Sequence, residues 1–349
     1  KQEMTKELMI DTEEFAKEIA WLNKMPSVEP TSAVIQITAV VGAVIVRRVS
    51  DGQYRESTVQ AVGGDQASVT VAVSKLLDAM KVLTGTLTLT IEDDGLSLES
   101  SDRKVTLRSA KNTVEFPAWP QFAGNEFEVL LPDSLTQVLT SVGNDDNIPT
   151  LKNIAFDGGT MVSTDRHRLS RVVYDKRGFT GHVPATVLRA FAKADTAVYV
   201  TAGVVDGQPW VQLRSNNRYC TSPMPDVSFP NWKKLIPESE LVKVVFDRNQ
   251  MLKAISGDEV SLTVDGDSII IVSESDDMRT EQKVALNRTI SNKSDGPVTV
   301  TISSKYVRDS LRGLGTSQAM LGINAPDSPV VFSDFINTLH LVMPIRKAS

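Results

Sequence analysis

The chain has 349 residues, 41% of them hydrophobic and 23% charged, with a formal net charge of −6. That composition belongs to a globular protein with room for several cores, and its acid excess taken alone argues against nucleic-acid binding. No run approaches the roughly twenty apolar residues that cross a bilayer, and no charged-then-apolar export pattern opens the chain, so a cytoplasmic location is expected. The single cysteine, Cys220, cannot form an internal disulfide, which fits a reducing compartment. Lys1 is not preceded by a methionine, which leaves room for missing or foreign residues at that end.

In chain order, the first element is an amphipathic helix with Phe15, Ile19 and Leu22 on one face, opened by Asp11 as N-cap. An Asp51-Gly52 hairpin follows, then a second helix on Leu76, Met80 and Leu83. The alternating run Thr86–Ile91 turns at Asp94-Gly95 into Leu96–Ser100, one face buried and one wet. The cycle then restarts. Asp133 opens a helix on Leu135, Val138, Leu139 and Val142; Asp157-Gly158 marks a hairpin; Leu188 and Phe191 mark a helix; Asp206-Gly207 marks another hairpin. A third cycle runs through Asp247, the helix of Met251, Leu252 and Ile255, the hairpin at Asp265-Gly266, the helix of Val307, Leu311 and Leu314, and Asp327-Ser328. Apolar-Pro dipeptides recur at Phe116-Pro117, Phe229-Pro230 and Met343-Pro344, 113 and 114 residues apart, close to a third of the chain. Four features in register predict one structural unit written three times. The fold class is α+β, with three similar domains at 1–124, 125–240 and 241–349. Each carries two helices packed on antiparallel sheets, in an order that reads as a doubled motif.

Charge is segregated. The second helix of each unit is basic, with Lys75 and Lys81, then Arg189 and Lys193, then Lys305, Arg308 and Arg312. Acid lies at Glu13-Glu14, Glu92-Asp93-Asp94, Asp145-Asp146 and Asp276-Asp277. A protein that is negative overall can thus offer phosphates a basic helical surface; ordinary solvated helix faces would have the same charges.

Three segments carry a resemblance. Ser163-Thr-Asp-Arg-His-Arg-Leu-Ser170, Phe229-Pro-Asn-Trp-Lys-Lys-Leu-Ile-Pro237 and Leu341-Val-Met-Pro-Ile-Arg346 are similar to signatures of the bacterial sliding clamp, the beta subunit of DNA polymerase III. With the threefold repeat, the likeness spans essentially the whole chain. It implies a head-to-tail homodimer of six similar domains, a ring that closes rather than a filament. Helices would line the hole and double-stranded DNA would slide through it, held by topology without base reading. It also implies a hydrophobic pocket between the second and third domains for short peptides of DNA polymerase and clamp-loader proteins. Its wall here would be Leu151, Thr164, Arg166, His167, Arg168, Leu169, Pro230, Leu235, Leu341, Met343, Pro344, Ile345 and Arg346. Arg168, Arg346 and His167 would fix polar ends of the peptide, although a histidine such as His167, taken alone, is more often structural than functional.

The chain departs from the family pattern at several points, as a phage-encoded or otherwise divergent clamp would. Arg166 stands where the family has glycine, which predicts a long cation beside the pocket and a position with no need of positive φ. Asn144-Asp145-Asp146-Asn147 and Glu29 are acidic where approach to DNA is expected. For ring closure, Arg103, Lys104 and Arg108 on a first-domain strand face Glu274, Asp276, Asp277 and Glu281 of the third domain as opposite charges.

An enzyme reading has little to stand on. Ser163, Asp165 and His167 are triad letters, but along one strand they project to one side in a row, with the histidine not between the others. No glycine-rich phosphate loop or metal-ligand spacing accompanies them, and no cofactor is implied. The remaining rival is a clamp-like decoy or resistance paralogue that binds peptides or inhibitors without serving replication.

Overall fold

The structure, a computed structural model, describes residues 7–26, 28–92, 94–110, 114–174, 178–275 and 277–345. Among them are six α-helices, α1 (Thr12–Asn23), α2 (Val73–Met80), α3 (Pro132–Leu139), α4 (Ala185–Arg189), α5 (Arg248–Ala254) and α6 (Ser304–Arg312). They pack in pairs, α1 with α2, α3 with α4 and α5 with α6. No helix among the described residues is long and apolar enough to cross a membrane.

Caps explain where the helices begin. Asp11 accepts the Glu14 N–H at 2.8 Å and Asp247 that of Gln250 at 2.7 Å, as the sequence predicts. Asp133 does not cap. Helix α3 starts one residue earlier, with Leu131 at the cap position and Pro132 inside the first turn, where a missing N–H leaves one donor fewer to satisfy. The second helices end sooner than their apolar spacing suggests, so Leu83, Phe191 and Leu314 lie just beyond α2, α4 and α6 yet remain buried.

Contacts group the chain into two compact units. One comprises residues 1–129 with 194–224, the other 130–193 with 225–349. The middle third of the sequence is thus divided between the two units, the larger part in the second.

The first unit holds a five-stranded and an eight-stranded antiparallel sheet. In the larger one, Ala67–Ala72, Val34–Val40, Ala43–Ser50 and Gln53–Gln60 continue into Arg218–Pro223, Gln208–Ser215, Val198–Val205 and Ala123–Leu130. The joint is the antiparallel pairing of Gln53–Gln60 with Arg218–Pro223, in which Arg55 lies opposite Cys220. Two-residue turns close the hairpins at Asp51-Gly52 (φ 51° and 68°) and Asp206-Gly207 (φ 49° and 77°), the left-handed pair that matches strand twist. The Cys220 thiol is fully buried, and burial pushes its pKa up against the opposing charge and hydrogen bond of Arg55.

The second unit holds one twelve-stranded sheet. Thr180–Pro184, Asn153–Asp157, Thr160–Thr164 and Arg168–Val173 continue into Thr338–Val342, Val330–Ser333, Gln318–Ile323 and Val242–Asp247, then Met278–Asn292, Ser268–Ser275, Glu259–Asp265 and Val298–Ser303. The joint here pairs Arg168–Val173 with Thr338–Val342, of the same antiparallel kind as in the first unit.

Several strands stand at sheet edges among the described residues, and two segments with one free edge carry the segregated charge. Among the described residues, Lys104–Arg108 ends the five-stranded sheet, bonded to Gly95–Glu99 alone. The first half of Met278–Asn292 pairs with Ser268–Ser275 on one side, while only its second half, from Leu286, reaches Val242–Asp247.

Candidate functional site

The segment Ser163–Ser170 is not one strand. It is the end of Thr160–Thr164, a tight turn, and the start of Arg168–Val173. The Asp165 carboxylate builds that turn by accepting the N–H groups of His167 and Arg168, each at 3.0 Å, while Thr164 Oγ1 accepts the Arg166 N–H at 3.2 Å. Reversing the chain so sharply drives Arg166 to φ 79°. The expectation that this position needs no positive φ is therefore wrong, and arginine holds a glycine conformation at a cost of about 1 kcal/mol. The Arg166 side chain is exposed.

Arg168 is engaged within the chain. Its guanidinium donates to Asp165 at 2.9 Å and to Asp309 of α6 at 2.6 Å, and lies 4.5 Å from the Tyr306 ring centre. Burial alone would lower its pKa, but the two carboxylates outweigh that and raise it. His167 stays exposed, its ring stacked 6.3 Å from that of Tyr306. The triad letters diverge accordingly. The buried Ser163 hydroxyl donates to the Val138 carbonyl, and Asp165 serves the turn and Arg168.

Strand alternation sorts the rest. On the helix side of the joint, Ser141, Ser170 and His340 Nδ1 form a buried chain of hydrogen bonds of 2.6 and 2.7 Å, and Thr338 donates to Gln137 at 2.9 Å. On the other side, Leu169 lies opposite Thr164 and Leu341. Leu169 and Leu341 join Ala155, Val162, Val331 and Leu339 in one buried cluster, partly covered by Phe229, Trp232 and Ile236. The Phe229–Pro237 segment thus folds over the strand face, turned on itself by the Trp232 N–H to Pro230 at 2.7 Å and tied to the strands by Lys233 to Asp157 at 2.7 Å.

Of the expected pocket wall, Leu169 and Leu341 lie in this cluster and Thr164 stands opposite Leu169. Beyond the last strand, the Met343 N–H donates to the His167 carbonyl and that of Ile345 to Thr301, both at 2.8 Å. Met343 is 40% exposed and Leu235 46%, apolar groups left in solvent beside the cluster, with Pro344 and Ile345 half-buried. Leu151 is buried against the loop at Gly143. Arg346 lies outside the described residues.

Of the basic set, Lys75, Arg189, Lys193, Lys305 and Arg312 are exposed and Arg308 is half-buried. Lys81, just past α2, pairs with Asp78 at 2.8 Å and holds that carboxyl below its usual pKa. The acidic departures have local tasks. Glu29 accepts the Asp51 N–H at 2.7 Å, and Asp146 pairs with Lys152, whose hydrogen bond and charge lower its pKa.

At the two segments with a free edge, Arg103 lies 3.7 Å from Asp102, Lys104 3.3 Å from Glu99, and Arg279 3.9 Å from Glu274, all exposed. Arg108, Asp277 and Glu281 are exposed, and Asp276 lies outside the described residues.

No protein-family model matches the chain. It is 24% identical over 298 residues, 74% of its length and 77% of the relative's, to the beta sliding clamp of Synechococcus elongatus. To that of Synechocystis it is 22% identical across 88% of this chain and 92% of the other. The solved DnaN sliding clamp of Bartonella birtlesii, bound to griselimycin, superposes with a TM-score of 0.82 at 17% identity, covering 98% of this chain and 99% of that one. The DNA polymerase sliding clamp of Bacillus subtilis gives the same score, identity and coverage.

Proposed function

The chain has the three-domain α+β clamp fold and is a divergent member of the DNA polymerase III beta sliding-clamp family, and on that premise we propose that two copies close head to tail around duplex DNA as a processivity factor. Its domains are 1–124, 125–240 and 241–349, six to the ring. The protein is a non-catalytic tether: partner proteins dock short peptides in the pocket flanked by Leu169, Leu341 and Met343. The basic second helices, carrying Lys75, Lys81, Arg189, Lys193, Lys305, Arg308 and Arg312, face the phosphates without gripping bases.

One observation carries the ring. Each joint inside the chain pairs the outermost strand of one half-domain with that of another, Gln53–Gln60 with Arg218–Pro223 and Arg168–Val173 with Thr338–Val342. The same rule leaves Lys104–Arg108 and the start of Met278–Asn292 each paired on one side, with the other edge free among the described residues. An exposed strand edge invites another chain, and a second copy supplies the complement. Arg103, Lys104 and Arg108 then meet Glu274, Asp277 and Glu281. Exposed ion pairs contribute only about 0 to 1 kcal/mol each, so they set orientation while strand pairing and apolar packing supply the affinity.

Two measurements test this reading. Sedimentation of the Arg103→Glu, Arg108→Glu double variant is expected to show monomer where the parent shows dimer; an unchanged dimer at moderate salt would contradict the joint. After incubation with a clamp loader, the protein should be retained on nicked circular DNA and released when the circle is linearised. Failure to load would favour a decoy, and retention that ignores linearisation would rule out encirclement.

A further inference from the structure

Arg171 is a charged residue set into an apolar row. Antiparallel register places Ala155 opposite Val162, Val162 opposite Arg171, and Arg171 opposite Leu339, so the four lie in a line across neighbouring strands. Side chains directly opposite in an antiparallel pair share a face. The other three belong to the buried cluster that Phe229, Trp232 and Ile236 partly cover. Arg171 stands two residues beyond Leu169, on the same face, and is half-buried.

Among the described residues nothing neutralises it. Its Nε is buried without a hydrogen-bond partner, and among the described residues the side chain makes no ion pair. Of the described carboxylates on the adjoining segments, Asp157 is committed to Lys233, and Asp165 and Asp309 to Arg168. Burial lowers the Arg171 pKa with no opposing cause. A guanidinium held this way costs stability, a cost that a ligand carboxylate can offset.

We propose that Arg171 is a specificity-determining residue of the peptide pocket, receiving the carboxylate of an acidic side chain placed beside the apolar anchors of a docked peptide. This rests on the pocket reading above and adds the chemistry of its ligand: apolar anchors for the exposed Met343 and the Leu169–Leu341 floor, and one Glu or Asp for Arg171.

The test uses the full-length protein and three N-acetylated peptides with the same leucine and phenylalanine anchors. One carries Glu between anchors and an amidated C-terminus, the second Gln and an amide, the third Gln and a free terminal carboxylate. A charge-assisted hydrogen bond predicts that the Glu peptide binds about tenfold or more tightly than the Gln amide. Arg171→Met should bring the two within about twofold and Arg171→Lys should keep part of the preference. Since methionine replaces an unpaired cation in an apolar row, the variant should fold at least as stably as the parent. An Arg171-dependent gain with the free-carboxylate peptide and none with the Glu peptide would overturn the proposal as stated. Equal binding of all three, weakened throughout by Met343→Ala, would overturn it while leaving the pocket standing. Binding of none would remove the pocket and the proposal together.

Discussion

Glu18→Gln is expected to lower folding stability by about 3 kcal/mol, the usual cost of stripping one partner from a buried ion pair. Glu18 lies on the buried face of α1 between Phe15, Ile19 and Leu22, with only 5% of its side chain exposed. Its carboxylate accepts from Arg218 at 2.8 and 3.0 Å and from the Ser57 hydroxyl at 2.6 Å. Those partners come from Arg218–Pro223 and Gln53–Gln60, the two strands that form the first unit's joint. Buried Arg55 shares that joint, and Arg55 and Arg218 both flank the Trp21 ring. Arg48 is buried nearby, and burial together with the Arg55 charge lowers its pKa. A neutral glutamine leaves the Arg218 guanidinium without the carboxylate it pairs with. Urea unfolding of the single variant, with Arg218→Met completing a double-mutant cycle, measures the effect. A loss under about 1 kcal/mol would mean that Glu18 is not the counter-charge argued here.

Acid should weaken the second unit through His340. That ring is fully buried, and burial, helped by the Arg168 charge and opposed by the Gly313 backbone and Asp334, lowers its pKa to about 4. Nε2 makes no hydrogen bond of good geometry among the described residues, although the Gly313 backbone lies close enough to favour the protonated form. Unfolded, the ring takes its proton near pH 6.5; folded, not until about pH 4. Between those values the unfolded chain holds more protons, so stability present above pH 6.5 is lost as pH falls, by about 3 kcal/mol at pH 4. His182, whose pKa burial also lowers, adds a loss of the same sign. His340→Asn, which keeps a polar partner for Ser170, should flatten most of that slope. An unchanged pH dependence of the unfolding free energy would show that His340 is not its source.

These two residues show where reading the chain succeeds and where it stops. Glu18 carries a visible signal, an acid three residues after Phe15 and four before Leu22 in an apolar stripe, though not the identity of its partner, which is 200 residues away. His340 carries none, because alternation in Thr338–Val342 assigns it a face without saying that Ser170 stands opposite. The Asp-Gly signals mark real hairpins, but at Asp157 the aspartate ends the strand and Gly158-Gly159 makes the turn, as Gly266-Asp267 does after Asp265. Asp133 fails as a cap because the neighbouring Pro132 changes which residue opens the helix. Arg166 misleads because backbone hydrogen bonds to Asp165 and Thr164 impose a left-handed turn that residue type alone would not suggest.

Local rules were enough for the repeat, the α+β class, the helix starts at Asp11 and Asp247 and the apolar character of the segments around Leu169 and Met343, since period, caps and turn residues act within a few positions of one another. Which strand edges meet, why Arg168 is engaged by Asp309, and why Arg171 has no carboxylate among the described residues were decided by pairings across about 140 to 175 residues. Those depend on register between distant strands. A single-residue slip there would turn every side chain to the opposite face, and nothing local in the chain encodes it.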